Sequence, residues 1–312
     1  MPAVHHLSPE PGTVHGQFDR SLPPVLEIDP GDTVVFRTLD GSWGENGEHL
    51  FGLPGFTPRR SPGSGTPCAA RCASAGRTRR VSWRSRSTLS RPGGWGWTAA
   101  GPREQRLRRG LSAEREVLIG WRLDPDAGLA RDAHGLGLTL PLRPFMGVLG
   151  NAPAAPGPHE TRHPRRVGGN LDCRELVPDS RLRLSVEVDG ALFSVGDGHA
   201  AQGDGELAST ALECPMDEVS LTFRLLPGPA PARPQAGTPA GEIFLGLGQE
   251  LDEAVRDAAD QAVAFLARRL GIGTPEAIVV AGLAVQLRVT QVANGTVGAH
   301  ALITPDALAH LG

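Results

Sequence analysis

The sequence predicts a mainly β fold, sandwich- or barrel-like, with an α+β C-terminal part, and three features point there. Gly 41 and Pro 28 together exceed a fifth of the 312 residues, which favours many turns and short strands over a helical bundle. Residues 181–188 and 191–195 alternate apolar and polar on either side of Asp189-Gly190, the pattern of a β-hairpin. Helical spacing is found near the C-terminus, where Leu251, Ala254, Val255, Ala258, Ala262, Phe265, Leu266 and Leu270 recur on one face before Gly271.

Taken in order, the chain opens with turns and then reads "VLEIDPGDTVVFRTLD", two short β-branched runs separated by Asp29-Pro30-Gly31-Asp32, a hairpin-like start. From Phe56 to Arg103 there is no Asp or Glu, and Arg and Ser dominate "RTRRVSWRSRSTLSR". A stretch without amphipathic period is not expected to pack. It reads as a disordered linker, as an Arg-rich arm for phosphates, or as out-of-frame text. In the third reading the codons of about residues 58–91 are shifted by one base. The shifted frame permits a Gly-Pro turn followed by alternating strand text, and the original frame resumes at "RPGGWGWTAAGP".

Beyond Gly110, "REVLIGWRLD" reads as a strand and "GLGLTLPLRPFMGVLGNAP" as another entering a Pro/Gly-rich loop. A Pro/Ala linker, "LLPGPAPARPQAGTPAGE", precedes the long helix, and Thr274-Pro275-Glu276 opens a second one. Strands with an Asn294-Gly295 turn close the chain. The expected division is a β-rich part over 1–230, with about 58–91 disordered, and an α+β part over 231–312 within the same catalytic unit.

Bulk properties exclude several classes. A net charge of -3 gives no pull toward nucleic acid or an anionic membrane. No apolar run is long enough to span a bilayer, and no leader is recognised, so a cytoplasmic protein is expected. All 31 basic side chains are Arg and Tyr is absent, a bias of a GC-rich gene. Cys68, Cys72, Cys173 and Cys214 lack paired CxxC spacing, which indicates neither a zinc knuckle nor a disulfide framework. Gly-x-Ser-x-Gly elbows and phosphate-cradling Gly-x-x-x-x-Gly-Lys loops do not occur.

The densest polar text is "VGDGHAAQGDGE", Val195 to Glu206. Asp197-x-His199 after a strand can offer oxygen and nitrogen ligands to Zn²⁺ or a similar ion, and the same glycines would also suit a solvated loop without metal. Asn170 and Asp172 follow Gly168-Gly169, with His159, Glu160 and His163 upstream, as ligands, bases or an exposed turn. Asp40 ends the strand "TVVFRTLD" and reads as a strand cap or a site carboxylate. Cys173 has no base placed beside it by pattern and reads as a structural thiol.

The segments "RPFMGVLGNAPAAPGPHETRHPRRVGGNLDCREL", "LSVEVDGALFSVGDGHAAQGDGELASTALECPM" and "AVQLRVTQV" resemble the acetamidase/formamidase family over most of 1–55 and 95–312. The departure is the Arg-rich segment, where the family carries Gly-Pro-Val-x-Val-x-Gly-Ala-x-Pro-Gly-Asp-x-Leu-x-Val, close to the shifted frame. The resemblance implies hydrolysis of formamide, acetamide and related short linear amides to carboxylate and ammonia, and a homo-oligomer. It implies a divalent metal, zinc or else calcium, held by Asp197, His199 and Asn170 or Asp172. Glu206, Asp204 and Asp40 are the catalytic candidates, the first two as general base and Asp40 as support behind them. Two rival readings are a non-catalytic β-rich protein stabilised by a cation, and an inactive, frame-damaged family member.

Overall fold

A computed structural model describes residues 1–56, 66–74, 82–101 and 115–311. Two large sheets dominate. In spatial order the nine-stranded sheet runs Val4–Leu7, Thr33–Thr38, Met216–Leu226, Ser82–Pro92, Arg181–Ser185, Gln235–Thr238, Gly241–Gly248, Val297–Ile303 and Val285–Gln291. The eleven-stranded sheet is centred on Phe193–Ala201, flanked by Phe145–Gly150, Leu212–Cys214 and Cys68–Ser74.

The core lies between the sheets. Val34, Phe36, Leu184, Leu221 and Phe223 of the first sheet share one buried cluster with Met146, Leu149, Phe193 and Val195 of the second. Phe193 and Phe223 meet edge to face at 5.0 Å, a ring geometry that adds to the burial of both. On its outer face the first sheet is covered by helix Leu251–Leu270. Ala254, Ala258, Ala262 and Leu266, spaced by four, form the buried stripe of that helix. Among the described residues no helix is long and apolar enough to cross a membrane.

The Asn294-Gly295 turn does join two paired strands, Val285–Gln291 and Val297–Ile303, but the Asp29-Pro30-Gly31-Asp32 and Asp189-Gly190 turns, which also predict hairpins, instead carry the chain from one sheet to the other. Leu26–Ile28 pairs with Cys68–Ser74, whereas Thr33–Thr38 pairs with Val4–Leu7 and Met216–Leu226. Arg181–Ser185 likewise stays in the first sheet while Phe193–Ala201 enters the second. Gly190, Ala191 and Leu192 have φ of 81°, 63° and 54°, and three left-handed residues in succession swing the chain across the core. Alternation predicts the strands but not their partners, because both runs bury a face and either sheet satisfies that.

The Arg-rich segment also departs from expectation. Cys68–Ser74 and Ser82–Pro92 are strands, the latter paired between Arg181–Ser185 and Met216–Leu226, so backbone hydrogen bonds on both edges supply the order that its composition does not. The rest of 58–91, residues 58–65 and 75–81, lies outside the described residues. Within the Pro/Ala linker, Gln235–Thr238 is a strand that joins Arg181–Ser185 to Gly241–Gly248. The C-terminal strands thereby extend the sheet begun by the N-terminal half.

Candidate metal and active site

The strand Phe193–Ala201 organises the site. Asp197 and His199 are two residues apart and reach one face of the sheet. The intervening Gly196 and Gly198 are pressed by backbone: a Cβ would lie 2.2 Å from the Pro67 carbonyl oxygen at Gly196, and 2.7 Å from that of Cys214 at Gly198. The motif therefore alternates polar side chains with positions that must carry no side chain.

Three further carboxylates converge on this pair. Asp172, Asp197 and His199 form one group of donor atoms lying within 4.8 Å of one another, and His199, Glu206 and Glu213 form a second. All five residues are buried. Asp172, Asp197 and Glu206 have φ of 47°, 60° and 47°, a left-handed backbone that side-chain-bearing residues seldom adopt. Strain of this kind, of order 1–3 kcal/mol per residue, persists where surrounding structure enforces it.

His199 fixes the polarity of the cluster. Its Nδ1 donates to Gln202 Oε1 at 2.9 Å, and Gln202 Nε2 donates to the Asp172 carbonyl at 2.9 Å. Nε2 faces Asp197 Oδ2 and Glu213 Oε2 at 3.4 Å each, and Asp172 Oδ1 at 3.9 Å. With Nδ1 carrying the proton of a neutral ring, Nε2 turns its lone pair toward carboxylate oxygens, an arrangement that calls for a proton or a cation between them.

The orphaned atoms answer the same way. His199 Nε2, Asp172 Oδ1, Glu206 Oε2 and Glu213 Oε2 are all buried without a hydrogen-bond partner. Burial raises Asp172 to about 6 and Glu213 to about 7, and pushes Glu206 well above the usual carboxylate range, with neighbouring carboxylates adding to each. Burial alone would depress His199; Glu213 and Asp197 outweigh it and raise the imidazole. One imidazole nitrogen with several carboxylate oxygens is a donor set suited to a divalent metal, and these residues can hold one.

The remaining sequence candidates lie around this centre. Asp40 is buried, but its carboxylate is consumed by Trp97 Nε1 at 2.7 Å, the Gly44 amide at 2.7 Å and the Ser42 amide and hydroxyl. It holds the turn that sets Gly41 against Asp197 and Glu213, where a Cβ would come within 2.9 Å of both carboxylates. Asp204 is half-exposed, and its Oδ2 receives Arg288 Nε at 3.0 Å and Nη2 at 2.5 Å. Asn170 is buried on Gly168–Asn170 with Oδ1 unpartnered. His163 binds the Asn294 carbonyl through Nδ1 at 2.8 Å, and His159 with Glu160 forms a two-residue strand against Gln17–Phe18. Cys68, Cys173 and Cys214 are buried free thiols, and burial pushes all three upward, which makes them poor nucleophiles.

Sequence reasoning missed Glu213 and Asn294. Glu213 lies seven residues past Glu206 on its own short strand, and Asn294 read only as a turn residue. Its Nδ2 donates to Asp172 Oδ2 at 2.5 Å. No local pattern marks either residue, because the sheet, not the spacing, brings them in.

Gly147 forms the floor of the cluster. A Cβ there would stand 2.5 Å from Asp172 Oδ1, 2.9 Å from Asp197 Oδ2 and 3.1 Å from His199 Cε1. Gly147→Ala is expected to cost about 1–3 kcal/mol in urea unfolding by overpacking, and to weaken divalent-metal retention. Equal destabilisation with unchanged metal content would mean that Gly147 serves packing alone.

Above the cluster opens a cavity of about 490 Å³ whose wall includes Trp121, Leu140, Arg143, Arg174, Gln202 and Glu206. Of the five clustered side chains, Glu206 is the one that lines it.

Comparison with known proteins finds likeness in both sequence and fold. Residues 153–233, which carry all five clustered residues, match the Acetamidase/Formamidase family. A presumptive formamidase of Schizosaccharomyces pombe is 31% identical over 108 residues, 32% of this chain and 26% of that protein. An acetamidase of Mycolicibacterium smegmatis is 48% identical over 44 residues, 14% of this chain and 11% of that protein. The alignments thus span about a quarter or less of these curated relatives. The crystal structure of an acetamidase from Bacillus halodurans superposes with a TM-score of 0.84 at 26% identity, covering 98% of this chain and 99% of that one. A predicted acetamidase/formamidase of Thermoanaerobacter tengcongensis shares the fold, with a TM-score of 0.87 at 20% identity over 100% of this chain and 99% of that one. The motif-bearing segment thus matches the acetamidase/formamidase family, and the fold is shared end to end with a solved acetamidase.

Proposed function

We propose that the protein hydrolyses short linear amides, formamide and acetamide among them, to a carboxylate and ammonia. The observation that supports this best is His199 Nε2 facing three carboxylates beneath an open cavity, with the acceptor atoms left unpaired. Sequence likeness to proteins named formamidase and acetamidase supports the same reading.

The reaction breaks the acyl C–N bond and forms a C–O bond from water, so that one amide and one water give one carboxylate and one ammonium. Asp172, Asp197, His199 and Glu213 would hold a divalent cation, zinc being favoured by the mixed nitrogen and carboxylate donors and calcium the alternative. Such a cation, when bound, supplies Lewis acidity toward the amide oxygen and lowers the pKa of water. Glu206, on the cavity wall, takes the water proton and returns it to the leaving nitrogen. Gln202 keeps the His199 ring in its orientation, and Asn294 does the same for Asp172. Asp40 supports Gly41 from behind, and Asp204 braces the loop that carries Glu206.

The test is ammonia release from formamide and acetamide, before and after chelation. Turnover that falls on chelation and returns with zinc is expected; release unchanged by complete metal removal would take the cation out of the mechanism. Stability reports the same cluster. Asp172 and Glu213 are raised in the folded state, so the stripped protein retains their protons below the ordinary carboxylate range and loses that stabilisation as pH rises through about 6 to 7. Its Tm should therefore be lower at pH 8 than at pH 5, and metal should restore it at pH 8. Restored Tm with no ammonia from either amide would favour a structural cation site.

A further inference from the structure

We infer that the cavity selects amides whose acyl end carries a carboxylate, with Arg143 and Arg174 as the anchor for that group. This rests on the amide-hydrolase reading and extends it to the substrate class. Its starting point is space. One- and two-carbon amides fill a small part of about 490 Å³, a volume within the roughly 300–1,000 Å³ of pockets that enclose larger ligands.

The cavity wall also carries unbalanced charge. Arg143 and Arg174 both line the cavity. The carboxylates near them are already engaged by Arg288, which donates through Nη1 to Glu175 Oε1 at 2.9 Å and through Nε and Nη2 to Asp204 Oδ2. Arg143 Nη1 stands 3.9 Å from that same Glu175 oxygen, and Arg174 Nη1 stands 3.5 Å from Asp204 Oδ1. Three guanidinium groups therefore share two carboxylates. Arg174 Nε is in addition buried with no partner. The guanidinium fork matches a carboxylate in shape and charge, and an excess of one such fork at a cavity wall is a site for an anion.

The cavity lining carries both signs, which constrains how a substrate lies in it. Glu206 and the carboxylates clustered with it repel an anionic group, while Arg143 and Arg174 attract one. An ω-carboxylated amide would then present its amide to Glu206 and its far carboxylate to the arginines, with Trp121, Leu140 and Leu207 against the methylene chain between. Both arginines are tied to site elements: the Arg143 amide donates to the Ala200 carbonyl at 2.8 Å, next to His199, and Arg174 follows Asp172 by two residues.

The experiment compares succinamate with butyramide, which has the same acyl length without the terminal charge, using the metal-loaded protein. Ammonia release gives kcat/KM for each, and isothermal titration of each amide and of succinate reads binding directly. A succinamate-to-butyramide ratio of at least tenfold is expected, falling tenfold or more in Arg143→Met and in Arg174→Met, with partial recovery in the lysine variants. Arg143 is the more exposed of the two, so its variant keeps the test open should Arg174→Met fold poorly. A ratio near one, or a ratio that both methionine variants leave intact, overturns the inference. Absence of ammonia from every amide would count against the hydrolase reading instead, and titration would still decide whether the arginines hold a carboxylate.

Discussion

His199→Ala is expected to lower ammonia release at least ~10³-fold and to leave the purified protein without its divalent metal. The reasoning starts from the shape of the cluster. Nε2 is the nitrogen that faces Asp172, Asp197 and Glu213, so its loss removes the imidazole from both donor groups at once. A metal acting on a carbonyl is worth several kcal/mol of transition-state stabilisation, and about 4 kcal/mol corresponds to three decades in rate. Metal content by elemental analysis and turnover of acetamide should fall together. Full activity in the variant would remove the whole motif from the chemistry, and lost activity with metal retained would reassign His199 to proton transfer. Because the ring also packs edge to face on Phe145 at 5.1 Å, a parallel His199→Gln variant separates lost volume from lost ligation.

Glu206→Gln is expected to reduce kcat by ~10²–10⁴ with a smaller effect on KM, the range for removing a general base. The substitution keeps shape and hydrogen-bonding length while removing the ability to take a proton. Among the five clustered residues Glu206 lines the cavity, so it is the one a substrate meets. Asp204, the other sequence candidate for this role, is spoken for by Arg288 and Arg174, and Asp204→Asn is the natural control. If Asp204→Asn proves the more damaging of the two, the roles are reversed.

The sequence made the polar motif legible because its information is local. Gly-Asp-Gly-His on one strand, and Gly-Gly-Asn-Leu-Asp after a turn, write Asp172, Asp197 and His199 into short text whose glycines mark crowded backbone. Glu206 was legible for the same reason. Glu213 and Asn294 were not, since one arrives by strand pairing and the other by the closing loop of the last strand pair. The fold divides along the same line. The helix Leu251–Leu270 and the strand Val117–Asp124 follow from the pattern, whereas the strand read over 191–195 runs on to Ala201 and takes in the Asp197-x-His199 text that reads as a loop after it; the Asp-Gly and Asp-Pro-Gly-Asp turns predicted hairpins where the chain changes sheets. Alternation specifies that a face is buried and is silent about which sheet buries it.

The Arg-rich segment shows the opposite limit. Ser82–Pro92 takes a central place in the nine-stranded sheet although its composition predicts no packing. Our proposal that codons of about 58–91 are read in a displaced frame remains attached to that contrast. Sequencing the coding DNA across this interval decides it: two compensating single-base changes would return strand text of the family type, and their absence would leave the Arg-rich strand as the gene's own.

Asn294 and the loop around it set a condition on biosynthesis. Its side chain holds Asp172, its carbonyl holds His163, and the neighbouring Val292 amide donates to Gly205 beside Glu206. These clasps come from residues 292–294, whereas Asp172 and His163, which Asn294 steadies, are made 122 and 131 residues earlier. Domains ordinarily begin to fold from the N-terminus during translation. Here the Asp172 carboxylate acquires Asn294 as its partner only after the 122 residues that separate them have been made, so the nascent chain carries an incompletely paired group of acids over that stretch of synthesis.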